Sequence, residues 1–550
     1  MNKNTLFRTL GVIALAASAS VGALGAARAD LTISYGTGAT KYSIMNLGSA
    51  AASVSAAYYP EAGNTPDVTD SLNIANANGR LDVNVATVSG LALNWKGSVV
   101  LSSDQQVAAV AVTNYTGRSA VADAGTTAPG TEMAVYEAAL SGNTTIYVPS
   151  LFRIPMAASG TARQVTRATI MNTTGSSAAY TMTYTAGDGS SPGFTTGVLP
   201  PYGSKTVQTA VDADMPANFV TNMTGKGGGF GLKITSDKAV VAVGETTAIV
   251  TDAPPAISAN WSGDALGQTA AQASTKLFSP VAFRLCPPAL VANCAVPGQN
   301  YNTYIQYSSY QLTNITGNVA NVQAKFVNPA TNAISYTHAF TIAPNSGYGI
   351  NLFNGGSVKG AAATAMFNAL GARFGGSLVI DSDQQLVGVG NLDFPQPAVA
   401  YYGSYNLVSA SDATGLVYAP MFNRQCSAGV PATCSTSNLA AFEQVSAFQL
   451  LNVGNATCNG INIQILNPNG SVNTTLSVDK AGNALNLAPG VGIGLNSFNG
   501  GGFNVAQFDA GLGYNFAGSI IVNAPGCSLK AIVESRNGTT GFDQYNAFNQ

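Results

Sequence analysis

One histidine, two tryptophans and a charged fraction of 9% in 550 residues leave little material for catalysis. Typical globular domains carry roughly 25% charged residues. A Ser-His-Asp or Cys-His site needs a histidine, and His338, in "ISYTHAFTIAP", has no nucleophile-elbow sequence beside it. It reads as a surface residue on a strand. Paired-carboxylate chemistry needs two acids at a defined separation, whereas Glu61, Glu132, Glu137, Glu245, Glu443 and Glu534 are scattered along the chain. No Cys-x-x-Cys pair points to zinc. "GKGGGFG" from Gly225 lacks the Lys-Ser/Thr and helix of a phosphate loop. The expectation is a protein that is not an enzyme and holds no cofactor or metal.

Long apolar runs are also missing, with one exception at the start. Lys3 and Arg8 precede an apolar run from Leu10 to about Ala27, and Ala27, Arg28 and Ala29 close it, the pattern of a secretory signal peptide cleaved before Asp30. Past residue 29 no stretch stays apolar for the 18 or so residues of a transmembrane helix, so the expected mature chain has no transmembrane segment. Removing Lys3, Arg8 and Arg28 from 23 cations leaves 20 against 25 anions, a net charge of −5. No basic patch argues for nucleic acid. Secretion to the extracellular space, the cell surface or the periplasm follows.

Gly, Ala, Ser, Thr and Asn replace the missing charge, together with 22 Tyr and 22 Phe. Aromatic and β-branched content of this kind argues for β structure and against disorder. The chain repeats itself. "YSIMNLGSAAASVSAAYY" from Tyr42 returns from Ala168, Tyr310 and Phe448, and the shared Asn46, Asn172, Asn314 and Asn452 stand 126, 142 and 138 residues apart. A short turn follows each asparagine, then residues alternate with period two, as on a half-buried strand. The asparagines suit the turn because the amide bonds nearby backbone and tolerates left-handed dihedrals.

A second shared block, "GSVVLSSDQQVAAVAV" from Gly97 and its counterparts from Gly231, Gly376 and Gly518, reads as a hairpin. Asp104, Asp237 and Asp383 sit in its turn. Each turn offers about one carboxylate, too few for calcium, which wants six to eight oxygens. Four units are expected: 30–142, 143–272, 273–412 and 413–550. Each should be an immunoglobulin-like β-sandwich, and together they should string out like beads. Helix is expected only weakly, in "KGAAATAMFNALGARF" from Lys359. A propeller is disfavoured because its blades run to about 40–50 residues.

Three phrases, "IYVPSLFR", "LFSPVAFR" and "VYAPMFNR", place Pro149, Pro280 and Pro420 four residues before Arg153, Arg284 and Arg424. They fall at the repeat junctions. The same offset before Asn46 lands inside the signal, so one end unit lacks this strand. An unpaired sheet edge there would support homotypic head-to-tail assembly, unless "DLTISYG" from Asp30 fills the gap or the phrase is only a linker.

Six cysteines behind a secretory signal are read as disulfides. Cys286 and Cys294 follow Arg284 as Cys426 and Cys434 follow Arg424, at one spacing, so each pair should close an inserted loop. Cys458 is left to join Cys527.

In repeat period, composition and secretion signal, the chain resembles the tandem immunoglobulin-like repeat proteins of bacterial surfaces, the adhesin stalks and S-layer-type proteins. That resemblance implies a structural or adhesive role with a glycan or protein ligand, and it carries no site residues over. An extracellular carbohydrate-binding protein is the alternative, although Trp95 and Trp261 are not at equivalent positions.

Overall fold

A computed structural model describes residues 9–15, 37–118, 130–155, 162–186, 191, 193–209, 214–216, 229–250, 259–288, 294, 304–396, 399–427, 434, 441–537 and 541–550. The chain is all-β, and its described residues form five antiparallel sheets of four, seven, nine, four and ten strands. The expected helix is present as Gly360–Leu370, ended by Gly371 at φ 68°, a left-handed position that favours glycine.

One pairing scheme recurs four times. In an outer layer, a leading strand pairs with the first arm of the hairpin, which pairs with a third strand and then an edge strand. Body two shows the order as Asn143–Pro155, Gly229–Ser236, Ala178–Ala186 and Gly193–Leu199. In an inner layer, the strand ending in the repeated asparagine pairs with the second hairpin arm, which pairs with a closing strand. There body two uses Ala162–Asn172, Val240–Val250 and Ala259–Leu266. Alternation supplies the core between the layers: in Ala52–Pro60, Ala52, Val54, Ala56 and Tyr58 are buried while Ser53 and Ser55 are exposed.

Each asparagine acts through its side-chain amide. Asn172 Nδ2 donates to the Ser176 and Pro200 carbonyls at 2.6 and 2.9 Å, and its Oδ1 accepts from Thr174 N at 3.0 Å. Asn46 and Asn452 repeat the pattern on Ala50 and Asn76, and on Ala456 and Leu487. None of the four has a positive φ. The left-handed backbone suggested by residue type is absent, and a strand end clamped by three hydrogen bonds takes its place. The hairpin aspartates have a similar duty. Asp104, Asp237 and Asp383 each accept the N–H of the second residue of the third strand, from Ser53, Ala179 and Asn321, at 2.7–2.8 Å.

The proline phrases are not linkers. Asn143–Pro155, Ser274–Leu285 and Leu416–Cys426 are the leading strands of bodies two, three and four. The register slips between Val148 and Leu151, between Ser279 and Ala282, and between Ala419 and Phe422, so a bulge holds Pro149, Pro280 and Pro420. A bulge is where a strand tolerates a residue without an N–H. Beyond it the strand turns to the inner layer, and Arg153, Arg284 and Arg424 pair with Val165, Tyr307 and Val445 of the asparagine strands.

Arg284 and Arg424 are buried. Arg284 lies 4.7 Å over the Phe367 ring and donates to the carbonyls of Gly371 and Cys294; Arg424 lies 4.6 Å over Tyr514 and pairs with Asp509. Arg153 donates to the Thr209 carbonyl. The Arg284 position, stacked and bonded to two carbonyls, is one lysine cannot fill.

Cys286 joins Cys294, Cys426 joins Cys434 and Cys458 joins Cys527, with Cα separations of 6.5, 6.2 and 5.3 Å.

The bodies do not string out as beads. The four closing strands, Gly130–Glu137, Ala259–Leu266, Val399–Asn406 and Gly541–Asn546, pack side by side, and body four returns to touch body one. The result is a closed ring. Body four's hydrophobic core runs on into Met45, Val110 and Val135 of body one and Phe278 and Val379 of body three. A latch from Arg80 of body one reaches Asn423 Oδ1 at 3.1 Å and the Gly518 carbonyl of body four.

Candidate functional site at the centre of the ring

The closing strands meet around one carboxylate. Asp543, fully buried, accepts N–H groups from the three other bodies: Val135 at 2.6 Å, Asp264 at 3.1 Å and Ser404 at 2.9 Å. Strands that pack face to face cannot share a ladder, so their backbone donors need some other acceptor. Burial, followed by the neighbouring charge of Asp264, holds the Asp543 carboxyl well above the usual carboxylate range, against the pull of the backbone donors Val135, Ser404 and Gln544.

At one end of these strands the equivalent positions Glu137, Leu266, Asn406 and Asn546 are stitched together. Asn406 Nδ2 donates to the Leu266 carbonyl at 2.8 Å, Asn546 Nδ2 donates to the Asn406 carbonyl at 2.9 Å, and Asn546 N donates to Glu137 Oε2 at 3.3 Å. A cavity of about 320 Å³ opens there, lined from all four bodies by Glu137, Gln268, Asn406, Asp412, Lys530 and Asn546 among others. Burial pushes Glu137 up to about 7. Lys530 is buried and lowered by desolvation, with Asp412 at 2.7 Å opposing that shift.

This lining offers amides, one ion pair and one titrating acid. It can hold a small polar molecule. No group of three His, Cys, Asp or Glu side chains among the described residues could hold a metal ion.

A second buried charge cluster joins bodies one and two. Arg167 Nε donates to Glu245 Oε2 at 2.6 Å, and the Tyr115 hydroxyl donates to the same oxygen at 3.3 Å. Such a pair costs desolvation energy and returns it only when hydrogen bonds complete it.

The residues singled out from sequence stand elsewhere. His338 is not on the surface: it is 7% exposed, within 3.0 Å of the Tyr348 hydroxyl and stacked on Phe340, and burial lowers its pKa. Pro149, Pro280, Pro420 and the three arginines belong to the leading strands, and the cysteines flank inserted loops or span body four. None of these lines the central cavity.

Sequence reasoning missed Asp543, Asp264 and Glu137. The signal available was position: each lies on the last strand of its unit, although at three different places along that strand.

No protein-family model matches this chain. No curated protein matches it. Among solved structures, the crystal structure of Thermotoga maritima 1070 is similar over 23% of this chain and 94% of its own, at 16% identity and a TM-score of 0.18. No helix among the described residues is long and apolar enough to cross a membrane.

Proposed function

We propose that this chain is a secreted surface protein with a structural or adhesive role, built of four immunoglobulin-like β-sandwich units and acting through its perimeter. One observation carries the reading. The outer edge strands of bodies two, three and four present apolar side chains to solvent: Phe194 at 66% and Val198 at 67% exposure, Ile334 at 54% and Val472 at 51%. Edge strands with exposed apolar residues invite strand addition or surface contact. The ring closes its own centre with buried polar bonds and leaves this perimeter outward, which favours contact between surfaces over chemistry in a pocket.

The test compares retention on the producing cell's surface for the native protein and for a variant carrying F194D, V198D, I334D and V472D. Charge at these edges should release the protein into the medium with its β content intact. Unchanged retention removes the adhesive reading. Binding of one sugar on a glycan array would put the carbohydrate-binding alternative first.

A further inference from the structure

The fourfold pattern is completed at one place by an unusual segment. In bodies two, three and four the leading strand fills a slot. One side of the slot is the first arm of the body's own hairpin; beside it lie the asparagine strand and second hairpin arm of a neighbour. Leu416–Cys426, for instance, pairs with Asn515–Asn523 and lies against Thr37–Asn46 and Val107–Arg118. In body one the same slot runs along Gly97–Ser103, against Ala162–Asn172 and Gly229–Val250 of body two. It is held by Thr9–Leu15, in a seven-residue antiparallel register from Thr9↔Ser103 to Leu15↔Gly97. That strand belongs to the leader expected to be removed before Asp30.

Once the leader is gone, Gly97–Ser103 has one row of backbone donors and acceptors to refill. The mature chain has only residues 30–36 ahead of Thr37. In body two, nine residues, 153–161, lie between Phe152, the last to pair with the hairpin, and Ala162 at the head of the asparagine strand. A seven-residue arm is therefore used up in reversing direction before it reaches its own slot.

In trans no reversal is needed. An arm running straight on from Thr37 of another molecule enters from the Gly97 end, and with Leu31 opposite Leu101 and Ile33 opposite Val99 it lays residues 30–35 along residues 102–97. Their pattern fits: Leu31-Thr32-Ile33 repeats the apolar-x-apolar order of Ile146-Tyr147-Val148, where Ile146 and Val148 fill the core opposite Ile234 and Leu232. The corresponding acceptors, Leu101 and Val99, face the core of body one. The slot is a groove between two bodies, so two copies cannot join by laying bare edges together.

We propose that residues 30–36 of a second copy occupy the Gly97–Ser103 slot after leader removal, giving assembly by strand exchange. Main-chain bonds supply affinity and alternate side chains supply register. This inference rests on the secreted reading above, in which the leader is removed.

The experiment uses the chain beginning at Asp30, a chain beginning at Thr37, and the full mature chain carrying I33D. Light scattering over a concentration series gives mass, and hydrogen exchange reads residues 97–103. The Asp30 chain should associate with 97–103 protected. The other two should stay monomeric with 97–103 exchanging at least tenfold faster, and a synthetic TLGVIAL peptide should restore their protection.

A monomeric Asp30 chain with 97–103 protected would show filling within one molecule and overturn the proposal. So would association that survives loss of residues 30–36, or a leader still attached to the secreted protein on N-terminal sequencing. A monomer that is nonetheless retained on the cell surface overturns strand exchange and leaves the adhesive reading standing. Exchange without surface retention does the reverse.

Discussion

Asp543 concentrates the energetics of the ring in one side chain. Replacing it with alanine leaves three buried N–H groups from three bodies without an acceptor, each costing about 1–3 kcal/mol. D543A should lower the denaturation midpoint far more than D543N, which keeps an oxygen for part of the set; equal losses would show that the node matters only as volume. Glu534 gives a pH signature of definite sign. Burial raises its pKa to about 7 from an ordinary 4.5, so the folded state binds more protons than the unfolded one between those values. Its contribution is fully present below about pH 4.5, declines as pH rises and is lost above about pH 7, a change of roughly 3 kcal/mol. Glu137 acts in the same direction. Urea titrations from pH 4.5 to 8 should show the decline, and E534Q should flatten it. At this scale the sequence was partly legible: the four asparagines and the hairpin aspartates bind backbone as their residue types imply. The buried acids were not, because burial of Glu137 or Asp543 depends on strands from other bodies.

The elements follow local rules more closely. The leading strands put proline at a bulge and arginine beneath a loop, so each phrase encodes one change of layer. R284K should keep the charge yet lose the planar stack on Phe367 and the two-carbonyl bond set, costing about 1–3 kcal/mol; a midpoint within error of the native protein would contradict that role. The disulfides should differ by loop size. In the chain-entropy model, removing Cys458–Cys527, which spans 69 residues, costs about 4 kcal/mol, and removing either eight-residue link costs about 2–3 kcal/mol. Pairwise Cys→Ser variants compared by denaturant midpoint check the order. The element pattern was readable because alternation, turn residues and cysteine spacing are local and occur several times over.

At the scale of the molecule, the ring makes a different prediction from a string. A chain ending at residue 412 lacks body four, and with it Asp543 and the surfaces that meet Arg80. Its strands Gly130–Glu137 and Ala259–Leu266 should lose hydrogen-exchange protection even though every residue of bodies one and two is present. Independent beads would keep it. R80A should act in the same direction within the intact chain. It removes bonds to Asn423 and Gly518 from a side chain only 4% exposed, and about 2–4 kcal/mol of stability should go with it.

What the sequence alone determined is the β class, the four-part repeat, the turn chemistry and the cysteine geometry within repeats. These rest on residues near one another in the chain or on a motif written several times. Only the tertiary structure decided that the closing strands share one centre, that acids from separate units become neighbours there, and that the strand slot of body one is held by Thr9–Leu15. Those facts depend on how four similar bodies close on each other. Closure brings together residues such as Val135 and Asp543, 408 positions apart, and no local pattern marks such a pair as partners.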